Sequence, residues 1–152
     1  MIAPLKSAYL GELYGMAFFD CFIQRYTDSS KVPIFRVLRD VEGLTAHLLV
    51  EGLSALGEDV PERDVMMEEK GAADAQKWLH LPWKSLIDTM VLWVQPYQQR
   101  YQSDTDNATE NLPLFTLVSD HENAIYEFLL AEQRGDITSV DSLTGFLERY
   151  RL

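Results

Sequence analysis

Three glutamates stand where a helical core calls for leucine. Leu5, Tyr9, Glu12, Met16, Phe19, Ile23 and Tyr26 step by fours and threes along one helix face. Leu38, Glu42, Thr45, Leu49, Gly52 and Leu56 form a second such line, and Phe115, Val118, Glu122, Ile125, Leu129 and Glu132 a third. A carboxylate on a core face is costly unless it is protonated, hydrogen-bonded, paired or bound to a cation. His121 adjoins Glu122 and lies on a neighbouring line with Leu114, Val118, Ile125 and Phe128. Glu12, Glu42, Glu122 and His121 are therefore the candidate metal ligands: hard carboxylate oxygens and an imidazole, suited to one iron, manganese or zinc ion. An ion held in this way, with an open position, would activate water or oxygen. The competing reading needs no metal. In it the glutamates are protonated or hydrogen-bonded within the core, with Tyr9, Thr45, Tyr97, Tyr101 and His121 as partners, and at least one has a raised pKa.

The elements that must position these residues are helical nearly throughout, and no strand alternation stands out. The first helix is expected over about residues 5–26. Thr27-Asp28-Ser29-Ser30 then supplies an N-cap, and the second helix runs over about 33–56, with Gly57 as its stop. Residues 58–81 read as a long connection in which Pro61 opens a short acidic helix reaching Trp78. A third long helix begins near Pro82-Trp83, with Trp83, Ile87, Met90, Val94, Tyr97 and Tyr101 as its inner line and Pro96 kinking or ending it. Residues 103–111 read as a polar loop. The fourth long helix spans about 113–133 and stops at Gly135, and Thr138 to Asp141 reads as a capping box for a short last helix ending at Tyr150. No linker separates domains, so residues 1–152 are expected to form one.

Four long helices with inward carboxylates on the first, second and fourth resemble the ferritin-like superfamily. Its bundles surround two irons with a Glu from each of two helices and a Glu-x-x-His from each of the other two. The resemblance implies an all-α, ferritin-like four-helix bundle with a short crossover helix and a short C-terminal helix. Glu12 matches the lone first-helix Glu. Glu42 and Glu122 match the acids of the two Glu-x-x-His motifs, but Thr45 and Ile125 stand in the histidine positions. The third helix has no carboxylate on its inner line, since Asp88 lies about 100° round from Ile87. The chain is also similar to a bacterial group of small ferritin-like proteins of unassigned role. That similarity rests on Gly11-Glu12, Glu42 to Thr45, Trp83, and His121, Glu122, Ala124, Phe128, Glu132 and Gly135.

What the resemblance implies is a degenerate di-metal site, able at most to hold one ion, in a protein leaning away from catalysis. No residue is assigned a catalytic role. A helical chaperone or adaptor for an apolar peptide is a third reading, prompted by Asp120-His121.

Composition bounds the partners. Thirteen basic residues against 24 acidic ones give a net charge of −11, which repels nucleic acid and anionic lipid surfaces. No run of about 18 apolar residues is present, so no membrane span is expected. Glu12 within the first apolar stretch is not the pattern of a signal peptide. The single cysteine, Cys21, allows no internal disulfide. A cytoplasmic location is expected, as is a homodimer, the latter from Trp93, which falls off the inner line of the third helix and so faces a partner or the connecting segment. His47 is expected to be exposed and His80 to lie in a loop.

Overall fold

The computed structural model describes residues 2–151. Over these the chain is all-α, with six α-helices, one 3-10 turn and no strand among the described residues. The helices are α1 (Ala3–Arg25), α2 (Val32–Ala55), α3 (Val65–Trp78), α4 (Trp83–Asn107), α5 (Leu112–Gln133) and α6 (Asp141–Tyr150). Four are long and two short, in the expected order. None is long and apolar enough to cross a membrane. The chain divides into two compact units, Met1–His80 and Leu81–Leu152.

In the first unit α1 packs against both α2 and α3. Aromatic residues cement it: Phe22 stacks on Phe35 at 4.9 Å, and Phe18 meets Trp78 edge-on at 5.8 Å. Leu38, Leu49 and Leu53 of α2 are fully buried. Against α3 the approach is closer. A Cβ at Gly71 would lie 2.3 Å from the Tyr14 carbonyl oxygen, so only glycine lets these two backbones meet. The Tyr14 hydroxyl donates to Asp74 at 2.7 Å, and the Tyr9 hydroxyl donates to the Pro61 carbonyl at 2.6 Å. These bonds tie the connection and α3 down onto α1.

In the second unit α5 packs against both α4 and α6. Leu86, Met90, Phe128, Leu129, Leu143 and Phe146 are among its most deeply buried apolar side chains. An amide ladder joins α4 to α5: Gln98 donates to Asn123 at 2.8 Å, and Ser119 donates to Gln102 at 3.0 Å. Glu132 accepts from the Trp83 indole N–H and from the Ser139 hydroxyl, joining the start of α4 and the loop before α6 to the end of α5.

Several boundaries differ from the sequence expectation, each for a local reason. Pro61 does not open α3. Asp64 does, its carboxylate accepting from the Met67 amide at 3.0 Å. Asp28 caps the 3-10 turn Ser29–Lys31, and α2 starts behind it without a side-chain cap. Helix α4 continues through Pro96 to Asn107, so residues 103–107 are helical. Leu92, whose carbonyl loses its amide partner to Pro96, is 73 % exposed. Thr138 bonds back to Asp136, so no capping box forms before α6. Tyr97, placed on the inner line of α4, is 44 % exposed. The stops at Gly57 and Gly135 hold: both have positive φ, and the amides of Glu58 and Asp136 reach back to Leu53 and Ala131 in the Schellman pattern.

The close helix contact yields a paired test. Gly71→Ala forces a methyl into the Tyr14 backbone and should cost about 3 kcal/mol by urea unfolding. Gly145→Ala, on an exposed turn of α6 with nothing within 4 Å, should gain about 0.5–1 kcal/mol. Equal effects at the two positions would contradict the close α1–α3 approach.

Candidate functional site

Glu12 sits near the middle of α1 and Glu42 near the middle of α2, where helix geometry is most regular. Both are buried, at 3 % and 8 % exposure. A carboxylate oxygen of one lies within 4.8 Å of a carboxylate oxygen of the other. Neighbouring helices bring them together, and a glycine sets how closely. Gly15 is three residues after Glu12 and so shares its face of α1. A Cβ built there would lie 2.5 Å from Glu42 Cδ and 2.6 and 2.7 Å from its two oxygens. The Glu42 carboxylate thus occupies the space that a side chain at position 15 would take.

Thr45 follows Glu42 by one turn and is fully buried. Its hydroxyl donates to the Val41 carbonyl at 2.9 Å. This back-bond explains how a polar residue is accommodated in the core position where the ferritin-like pattern has histidine.

The other two candidates belong to the second unit. His121 of α5 is buried at 1 % exposure, its ring edge-on to Phe146 at 6.0 Å. Glu122 is less deeply placed, with a side chain 16 % exposed and a carboxylate 4.0 Å from His121 Nε2. Of the two adjacent lines on α5, the one carrying His121 is the deeper. Asp120 accepts from the Tyr150 hydroxyl and lies 3.8 Å from Arg149, which anchors the end of α6 beside α5. Exposed His47 pairs with Glu51 at 3.0 Å, and His80 is an exposed residue of the turn after α3.

Gly15 escapes the sequence pattern. A glycine inside a helix has no periodic signature. The available signal is its type and place, a residue without a side chain one turn after an inward acid.

Chemically, Glu12 and Glu42 supply hard oxygen donors in a buried setting. Two metal–oxygen bonds of about 2.0–2.6 Å each span roughly 4–5 Å, so Glu12 and Glu42 would be within reach of one ion. The donor set fits a single divalent cation of the oxygen-preferring kind. Compared with protein-family models, with curated proteins and with solved structures, the chain matches none.

Burial raises the pKa of Tyr150, and the hydrogen bond to Asp120 adds to it. Above the unfolded tyrosine value of 10.0 the unfolded chain releases this proton while the folded chain keeps it. Stability is therefore unaffected by this group below pH 10 and falls as the pH rises further. Tyr150→Phe should flatten that alkaline decline in pH-dependent unfolding. Part of it should remain, because burial also raises Tyr9 and Tyr26. An unchanged alkaline slope in Tyr150→Phe would rule out the Asp120 bond as its source.

Proposed function

We propose that this chain is a non-catalytic ferritin-like bundle protein that has kept one divalent-cation site, with Glu12 and Glu42 as its carboxylate ligands. The observation that carries this reading is the buried pair itself, with oxygens within 4.8 Å on two adjoining helices. Two carboxylates at this distance repel when both are ionised, and a cation between them removes the penalty. Thr45 and Ile125 in the histidine positions argue against a two-iron centre, since a hydroxyl and an alkyl group replace two imidazole ligands. When bound, the ion would supply Lewis acidity and local positive charge. The residues' own part is to hold it dry and fixed between α1 and α2.

Metal content of protein purified without chelator, followed by calorimetric titration of the apo-protein with Mn²⁺ and Zn²⁺, tests the reading. Wild type should bind about one ion per chain. Glu12→Gln and Glu42→Gln should each weaken binding by tenfold or more while far-UV dichroism stays helical. The sequence-derived ligands of the second unit enter the same titration. Weakened binding in His121→Ala or Glu122→Gln assigns that side chain to the ion. No binding by wild type, or two irons per chain with oxidase activity, would refute the proposal. Light scattering on the same samples reads the expected self-association. Exposed Leu92 and Tyr97 on α4 favour it, and a monomeric mass would end it.

A further inference from the structure

Glycine is the poorest helix former after proline, so a glycine near the centre of the 23-residue α1 needs a reason. Gly15 is buried and has negative φ, so backbone conformation does not demand it. What fills the space a side chain would take is the end of Glu42, which would have to move to admit one. The carbon of the Glu42 carboxylate lies nearest the empty Cβ position, at 2.5 Å, with its oxygens at 2.6 and 2.7 Å. In an end-on approach the carbon would be farther than the nearer oxygen by up to about 1.2 Å, one C=O bond length. The near-equal distances, with carbon closest, mean that the carboxylate lies face-on against α1. Its oxygen lone pairs lie in the carboxylate plane, so they run along the helix surface and not into it. Glu12 is on that same surface, one turn earlier, and its carboxylate is within 4.8 Å.

We propose that Gly15 is a positioning residue of the cation site. By having no side chain, it seats the Glu42 carboxylate flat on α1 beside Glu12 and fixes the pair of oxygens that one divalent cation takes together. The inference rests on the cation reading above and adds a residue that is not itself a ligand. An alanine at position 15 leaves both ligands in place but lifts one of them off its seat. Groups that orient metal ligands typically carry tenfold to hundredfold in affinity, and that is the loss expected here.

The test uses the full chain and two readouts. In titration with Mn²⁺, Gly15→Ala should bind at least tenfold more weakly than wild type. In thermal unfolding with chelator present, Gly15→Ala should lower the midpoint when Glu42 is present. In a Glu42→Ala background it should be neutral or raise the midpoint, because alanine is the better helix former once the carboxylate is gone. If Gly15→Ala does not fold, the Gly15→Ala/Glu42→Ala double variant should, and its folding supports the seat. A double variant that fails to fold, or a Gly15→Ala effect independent of residue 42, overturns the inference. So does wild-type affinity for Mn²⁺ in Gly15→Ala. Wild type that binds no cation, together with intact coupling between positions 15 and 42, ends the cation reading alone. The seat would then stand as a property of the carboxylate pair.

Discussion

Two carboxylates buried side by side set the terms for the first unit. Each would be expensive alone in a helical core, and together they repel unless a proton or a cation comes between them. The surrounding structure holds them in that relation. Glu12 and Glu42 come from the middles of two long helices, where backbone hydrogen bonds leave little freedom. Gly15 admits the Glu42 carboxylate to a depth that any side chain would deny. Thr45, the polar residue nearest in sequence on the same face of α2, bonds to its own helix at Val41.

Helix α1 is the shared element. One side of it receives Glu42 at Gly15, and another receives α3, where Gly71 meets the Tyr14 backbone. Neighbouring positions 14 and 15 thus face different helices at unusually short range. The aromatic cluster of Phe18, Phe22, Phe35 and Trp78 lies along the same helix and supplies apolar burial to offset the acids. The second unit is organised differently. There α5 is central, and its contacts to α4 run partly through amides, with Gln98 and Gln102 bonding to Asn123 and Ser119. Directional bonds of this kind fix the register of two helices more narrowly than alkyl packing does.

Much of this was legible in the sequence, and the parts that were not share a cause. The helices follow from spacing, because apolar residues at threes and fours leave few alternatives. The burial of Glu12 and Glu42 follows from the same lines. Helix starts were harder, since Pro61 and Asp64 are both good openers, and the Asp64 bond to the Met67 amide decides between them. Pro96 was read as kinking or ending its helix, and the helix continues through it to Asn107. On α5 the lines of His121 and Glu122 are one residue apart, and helix rotation, set by packing, puts His121 deeper. Gly15 was invisible for the reason that makes it matter: its role is an absence of atoms, defined by a side chain on another helix.

Under the proposed function the buried pair holds one ion. Crystals grown from apo-protein with added Mn²⁺ and measured at a wavelength where manganese scatters anomalously test it most directly. One anomalous peak is expected, bonded to an oxygen of Glu12 and an oxygen of Glu42. Two peaks, or a Glu12–Glu42 pair bridged by a short hydrogen bond with no peak at saturating manganese, would contradict it.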